Sequence, residues 1–173
     1  MTSTSKPMSR RTARRPLLIP YLRVSTPQQE ALYGRLYAQL MAIKAHAAES
    51  NLKLHPIPCS DVSSAWRGNS LSRTGYQDAI KQAVAFDAGI IVTSADRLSR
   101  NVAALAPLFE KSIPVFSVEA GGRLSKRDLV KQVRAAEREA KEIAQSNISS
   151  QRTKWHSGPT RDQRIQGAAN NLL

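Results

Sequence analysis

Apolar residues recur along this chain with two different periods, and the alternation between the two predicts its architecture. Residues 17–24 form a nearly continuous apolar run suited to a strand, with Pro20 demanding a bulge or an unpaired position. Leu32, Leu36, Leu40, Ile43 and Ala47 then return at helical spacing, which predicts a helix over 27–51 with Pro27 in its first turn. A second strand is expected over 54–62, interrupted by Pro56 and Pro58, followed by a polar loop over 63–72. Tyr76, Ile80 and Val84 step through a helix over 75–86, closed by the turn Asp87-Ala88-Gly89. Residues 89–94 are continuous and β-branched, as in a parallel strand buried on both faces. A helix over 101–111 and a strand over 113–118 continue the order. Strands alternating with helices predict an α/β fold with a parallel-rich central sheet flanked by helices.

From Arg127 onward the pattern changes. Leu129, Val133, Ala136, Ala140 and Ile143 form a narrow heptad seam on a long C-terminal helix over 126–155 that is otherwise covered in charge. Spacing alone leaves two readings open, an amphipathic helix packed on its own sheet or an interface helix. Residues 1–16 are rich in charge and poor in apolar side chains, so a disordered basic arm is expected there. The polar, poorly periodic segment 156–173 reads as a loose tail or short helix. No run approaches the roughly 18 apolar residues of a membrane span. Leu17-Leu18-Ile19-Pro20 is too short for the apolar region of a signal peptide, so a cytoplasmic location is expected.

Composition adds a partner. A length of 173 residues permits one domain with tails, and the net charge of +13 is concentrated at its ends. Residues 1–16 carry five basic and no acidic side chains, and 123–173 carry eleven against five, while 17–122 are nearly balanced. That layout suits a globular domain with basic extensions for a polyanion, although basic tails also serve solubility alone. Arg10, Arg11, Arg14 and Arg15 in the arm, with Arg152 and Lys154 near the helix end, are the candidate contacts. The single cysteine, Cys59, cannot form an intramolecular disulfide and reads as a buried thiol suited to a reducing compartment. His46, His55 and His156 lack metal-ligand spacing, so neither a metal nor a cofactor is expected.

Two short motifs carry the chemistry: Tyr21-Leu22-Arg23-Val24-Ser25-Thr26 and Asp96-Arg97-Leu98-Ser99-Arg100. Each closes an apolar run, and residues just past the carboxyl ends of parallel strands share one crevice. Ser25 is the candidate nucleophile. A serine hydroxyl needs activation, and with no histidine nearby in sequence the electropositive setting must come from arginines. Serines at strand ends are more often turn hydroxyls bonded to their own backbone; Arg23 and the second motif favour the chemical role. Arg23, Arg97 and Arg100 supply a phosphate clamp, because guanidiniums match phosphate oxygens bidentately and stay charged at working pH. Asp96 is a candidate to orient an arginine, cap a helix or protonate a leaving oxygen.

These motifs, with Gln29, with Arg73 and Gly75 before a helix, and with Ile-Ser-Ser-Gln-Arg-Thr-Lys at 148–154, form an ordered set. The chain from about Leu17 to Lys154 resembles the catalytic domain of serine recombinases of the resolvase/invertase type. The resemblance implies attack of Ser25 on a backbone phosphate of duplex DNA, leaving a 5′-phosphoserine link and a free 3′-hydroxyl, without ATP or metal. It implies that Arg73 completes the catalytic set of Arg23, Ser25, Asp96, Arg97 and Arg100. Tyr21, Gln29, Ser64 and Ser99 then fall at the edge of the site. It also implies a homodimer that pairs into a tetramer, with the long helix as dimer interface reaching across DNA, in a bacterial, plasmid or phage setting. Asp61 and Ser64 fit the family's acidic-x-x-serine pattern; departures from the family pattern are Thr74 in place of proline and, directly after Ser64, Ala65 in place of glycine. A second glutamine, expected a turn after Gln29, has no counterpart at Tyr33-Gly34. Only residues 155–173 follow Lys154, which do not make a convincing DNA-reading module, so a non-catalytic accessory DNA-binding relative is the main alternative. A metal-dependent nuclease would need clustered carboxylates, and the acids near the motifs are isolated.

Overall fold

The computed structural model describes residues 15–25, 34–62 and 73–156, the last seven of these as helical backbone. The chain divides into two units, Met1–Arg134 and Ala135–Leu173. The first is built on strand β1 (Leu17–Val24), which pairs in parallel with β2 (Lys53–Leu54) and β3 (Cys59–Val62) on one edge. Its other edge pairs in parallel with β4 (Gly89–Val92), which in turn pairs with β5 (Val115–Ser117), and β6 (Gly122–Arg123) closes that side antiparallel. The parallel-rich sheet expected from the alternating pattern is the one observed.

Helices cover both faces of the sheet, which is why β1 and β4 are buried almost throughout. Side chains alternate across a strand. Leu18, Leu22 and Ile91 therefore face α1 (Arg35–Glu49), which contributes Leu36, Leu40 and Ile43. Ile19, Tyr21, Ile90 and Val92 face the larger core, with Tyr76, Ala79, Ile80 and Ala83 from α2 (Thr74–Ala85). Burial of these aliphatic and aromatic side chains stabilises the sheet by roughly 1.5–3 kcal/mol for each large one. Val84, expected on the buried face of α2, is half exposed instead, and Ala83 takes that place.

Prolines explain most departures from the predicted boundaries. Pro20 sits inside β1 opposite Ile91, and on the other edge it falls between the residues paired with β2 and those paired with β3. No ladder bond there needs its missing N–H. The strand predicted over 54–62 is split at His55-Pro56-Ile57-Pro58 into β2 and β3, since neither proline can donate to a ladder. The helix predicted over 101–111 is a 3₁₀ turn, Val102–Leu105, followed by α4 (Ala106–Glu110) with Pro107 in its first turn. Between β4 and that turn lies one short helix, α3 (Ala95–Leu98). In α1 the described helix starts after Gly34, whose φ of 52° is left-handed. Pro27, Leu32 and the loop 63–72 lie outside the described residues. β6 escaped prediction because two residues carry no readable period.

The long helix, α5, spans Lys126–His156. Ser125 caps it by accepting from the Asp128 amide (3.1 Å), and its hydroxyl donates to the Asp128 carboxylate (2.6 Å). The division between units falls within this helix. Leu129 and Val133 are buried in the core of the first unit, as an amphipathic helix on its own sheet requires. In the second unit Ala136 and Ala140 are partly buried, while Ile143 and Ile148 are more than half exposed. No helix among the described residues is long and apolar enough to cross a membrane.

One glycine sets the approach of α2 to the sheet. A Cβ on Gly75 would stand 2.2 Å from the Ser60 carbonyl oxygen, a backbone atom that cannot step aside. Gly75→Ala is therefore expected to cost about 3 kcal/mol or more, at or beyond the upper end for overpacked sites, read from urea unfolding midpoints.

Candidate active site

Because β1 lies between β3 and β4, their carboxyl ends open onto one edge of the sheet. Ser25 follows β1 in a bend and is partly buried; α3 begins soon after β4 and carries Asp96 and Arg97. The two motifs are tied together by one side chain. Arg23, fully buried, donates from Nε to the carbonyl of Arg97 and from Nη2 to the carbonyl of Asp96, both at 2.9 Å. Arg73, at the amino end of α2 and also buried, donates from Nη2 to the next carbonyl, Leu98, at 2.7 Å. Two guanidiniums thus satisfy consecutive carbonyls of α3, groups that a short helix leaves without intrahelical partners. Their positive charge also suits a helix carboxyl end.

The four arginines therefore divide into two pairs. Arg23 and Arg73 lie under the turn and bond its backbone. Arg97 and Arg100 are partly exposed, and both flank the Asp96 carboxylate, Nε of Arg97 at 3.6 Å and Nη2 of Arg100 at 3.8 Å. Asp96 also accepts from the Ser94 hydroxyl. Arg97 and Arg100 can engage an anion without unpicking the fold, in a setting where Arg23 and Arg73 add positive potential from below. Burial, followed by repulsion from Arg73, lowers the Arg23 pKa to about 10, so it remains cationic at neutral pH. A cation with a depressed folded-state pKa weakens folding throughout the range where both states are charged, and that cost is relieved only as pH rises above about 10. Maintaining this buried charge costs stability at neutral pH, as at sites shaped by chemistry.

Arg73 is held by aromatic rings as well as by its hydrogen bond. Its guanidinium lies 5.1 Å from the Tyr76 ring centroid and 5.9 Å from that of Tyr21. The Tyr21 hydroxyl donates to Asp61 at 2.7 Å, and the same carboxylate accepts from the amides of Gly75 (3.0 Å) and Tyr76 (2.9 Å). Asp61, on β3, thus caps α2 from outside the helix and fixes the Tyr21 ring. Burial first, and then the Asp61 charge working against the cation of Arg73, pushes the Tyr21 phenol far above its ordinary range. Tyr76 is raised likewise by burial. Both stay protonated. Cys59 is buried as expected, and burial followed by the charges of Asp78 and Asp61 pushes its thiol up to about 11, leaving it a poor nucleophile.

Other expected site residues are placed differently or fall outside the description. Ser99 is buried and engaged with the backbone of Asn101, donating at 3.0 Å and accepting at 2.9 Å. Gln29, Ser64, Arg10, Arg11 and Arg14 lie outside the described residues, Arg15 is exposed just before β1, and only backbone is described for Arg152 and Lys154. Gln39 was not expected at the site. Its amide donates to the carbonyl of Arg23 (2.9 Å), and its oxygen accepts from the Arg23 N–H (3.1 Å). Its place in an ordinary amphipathic helix gave no local signal, whereas Asp61 was visible only as part of an acidic-x-x-serine pattern.

A family model described as the resolvase N-terminal domain matches residues 18–154. The chain belongs to the resolvase family. Among solved structures, this resolvase-family chain is similar to the N-terminal catalytic domain of TP901-1 integrase at 19% identity and a TM-score of 0.50. That match covers 73% of this chain and 98% of the other. It is also similar to a resolvase family site-specific recombinase from Streptococcus pneumoniae, at 18% identity and a TM-score of 0.50, over 83% of this chain and 100% of the other. At these identities the likeness establishes the fold. No curated protein matches the chain. The resolvase-type family expected from the motifs is thereby reached independently, through the match over most of the chain.

Proposed function

We propose that this chain is a serine recombinase acting on duplex DNA in the cytoplasm. In this reading the Ser25 hydroxyl loses its proton as its oxygen bonds to a backbone phosphorus, and the bond from phosphorus to the 3′ oxygen breaks. The products are a 5′-phosphoserine link and a free 3′-hydroxyl. Rejoining is the reverse attack by a 3′-hydroxyl, so the energy of the phosphodiester is conserved and no nucleotide triphosphate is consumed. Arg97 and Arg100 neutralise charge on the equatorial oxygens, while Arg23 and Arg73 hold the turn that presents them. Arg15 and the basic residues of both ends contact the DNA backbone. A homodimer forms through the second unit, whose exposed Ile143 and Ile148 are apolar contacts of the required kind, and two dimers pair for strand exchange.

The observation that carries this reading is the pair of bonds from the Arg23 guanidinium to the carbonyls of Asp96 and Arg97, which joins the serine's strand to the arginine turn. The test is incubation of the protein with supercoiled DNA in excess EDTA, quenched with detergent. Protein covalently attached to 5′ ends is the expected result. DNA binding without any adduct would favour the accessory reading, and cleavage that vanishes with chelator and returns with Mg²⁺ would overturn the serine mechanism.

A further inference from the structure

We propose that the β6 edge is a docking site for an extended acidic segment of another protein, which pairs its backbone with Arg123 and seats one apolar side chain in the adjoining cavity. That cavity, of about 330 Å³, lies between α4, β5, β6 and the first turn of α5. Leu108, Phe109, Ile113, Pro114, Leu124 and Leu129 wall it, and Arg123 and Lys126 also line it. Ile113 and Pro114 precede β5, so the cavity sits at an amino end of the parallel strands. Arg97 and Arg100 follow β4 at a carboxyl end, which makes this surface separate from the arginine site.

Backbone, charge and volume point to the same occupant. Among the described residues β6 pairs with β5 alone. The Leu124 N–H donates to the Val115 carbonyl at 2.8 Å, so by the alternation of an antiparallel ladder the N–H and C=O of Arg123 turn outward. Such an edge can take a further strand, main-chain bonds giving affinity and a side-chain pocket giving specificity. Arg123 and Lys126 are exposed, and among the described residues neither has a carboxylate within ion-pair distance. The Lys126 ammonium lies 4.5 Å from the Phe109 ring centroid instead, while the Asp128 carboxylate is held by Ser125. Two cations beside an apolar hollow attract a segment with acids around an apolar side chain and repel a basic one. The chain's own ends do not supply that segment. Residues 1–16 carry five basic and no acidic side chains, and 157–173 carry Arg161 and Arg164 against Asp162.

The experiment titrates the isotope-labelled full-length chain with acetyl-Glu-Asp-Phe-Asp-Glu-amide, following amide chemical shifts and hydrogen exchange. Two comparison peptides replace Phe by Ser or all the acids by Lys. The expected result is a saturable set of shifts confined to the segment from Leu108 to Leu129, with slower exchange at the Arg123 amide. Affinity should fall at least about 10-fold for the Ser peptide, which leaves the cavity unfilled. A similar fall is expected for the chain carrying both Arg123→Glu and Lys126→Glu, and the Lys peptide should leave these amides unmoved. Equal binding of the Ser peptide would overturn the proposal, as would unchanged exchange at Arg123 or the absence of saturable shifts. Shifts centred on Asp96 to Arg100 would show the peptide acting as a general polyanion and would equally overturn it. Shifts in the Leu108 to Leu129 segment that depend on protein concentration before peptide is added would place a second copy on the edge, against the proposal. The peptide comparison uses the unaltered chain, so it decides even if the charge-reversed variant fails to fold.

Discussion

Ser25→Ala is expected to abolish the covalent DNA adduct while leaving the fold and DNA affinity intact. The hydroxyl lies at the end of β1 and contributes no side chain to either hydrophobic core cluster. Its loss should therefore shift stability by no more than about 1 kcal/mol, the scale of a single hydrogen bond. Loss of a covalent nucleophile costs on the order of a million-fold in rate in well-studied acyl transfer, so the adduct should fall below detection. The Tyr21 hydroxyl cannot substitute: burial keeps the phenol protonated and commits it to Asp61. Adduct formation at near wild-type rate by Ser25→Ala would move the nucleophile elsewhere.

Substitution of the four arginines should separate chemistry from folding. Arg97→Ala or Arg100→Ala is expected to slow adduct formation by about 10²–10³-fold each, the scale of removing one preorganised donor from an oxyanion site. Both side chains are partly exposed and pair loosely with Asp96, so unfolding midpoints should hardly move. Arg23→Ala and Arg73→Ala should lower both rate and stability, because the first removes the donors to the part-buried carbonyls of Asp96 and Arg97 and the second the donor to the buried carbonyl of Leu98. Parallel rate measurements and urea titrations on the four variants would show the split. Equal destabilisation across all four would contradict the division into a supporting pair and a contacting pair.

The legible part of this molecule was whatever a local pattern encodes. The alternation of strand and helix followed from burial on two faces of β4 and one face of α2, and the two motifs stood out because each ended an apolar run. Their meeting in space followed from strand adjacency, which the α/β pattern implies. What could not be read was anything made between distant segments. Arg23 was legible as a charged member of the site, but nothing local shows that its guanidinium would bond the backbone of residues 96 and 97. Gln39 was invisible for the same reason, since its two bonds reach across from α1 to a strand sixteen residues away in sequence. Asp61 matched a pattern, but its role as an external cap of α2 depends on the close approach that Gly75 allows. The seam of α5 read as one continuous stripe, yet Leu129 and Val133 belong to the core of the first unit while Ile143 is exposed in the second.

The central claim is that a DNA phosphate becomes bonded to Ser25, and peptide mapping of the trapped adduct tests it most directly. After detergent quench in EDTA, the DNA would be trimmed with nuclease and the protein digested. Tandem mass spectrometry would then locate the remaining nucleotide. The account predicts a phosphonucleotide on the peptide containing Ser25, with fragment ions placing it on that serine. A nucleotide on any other residue, or cleaved DNA with no modified peptide, would contradict it.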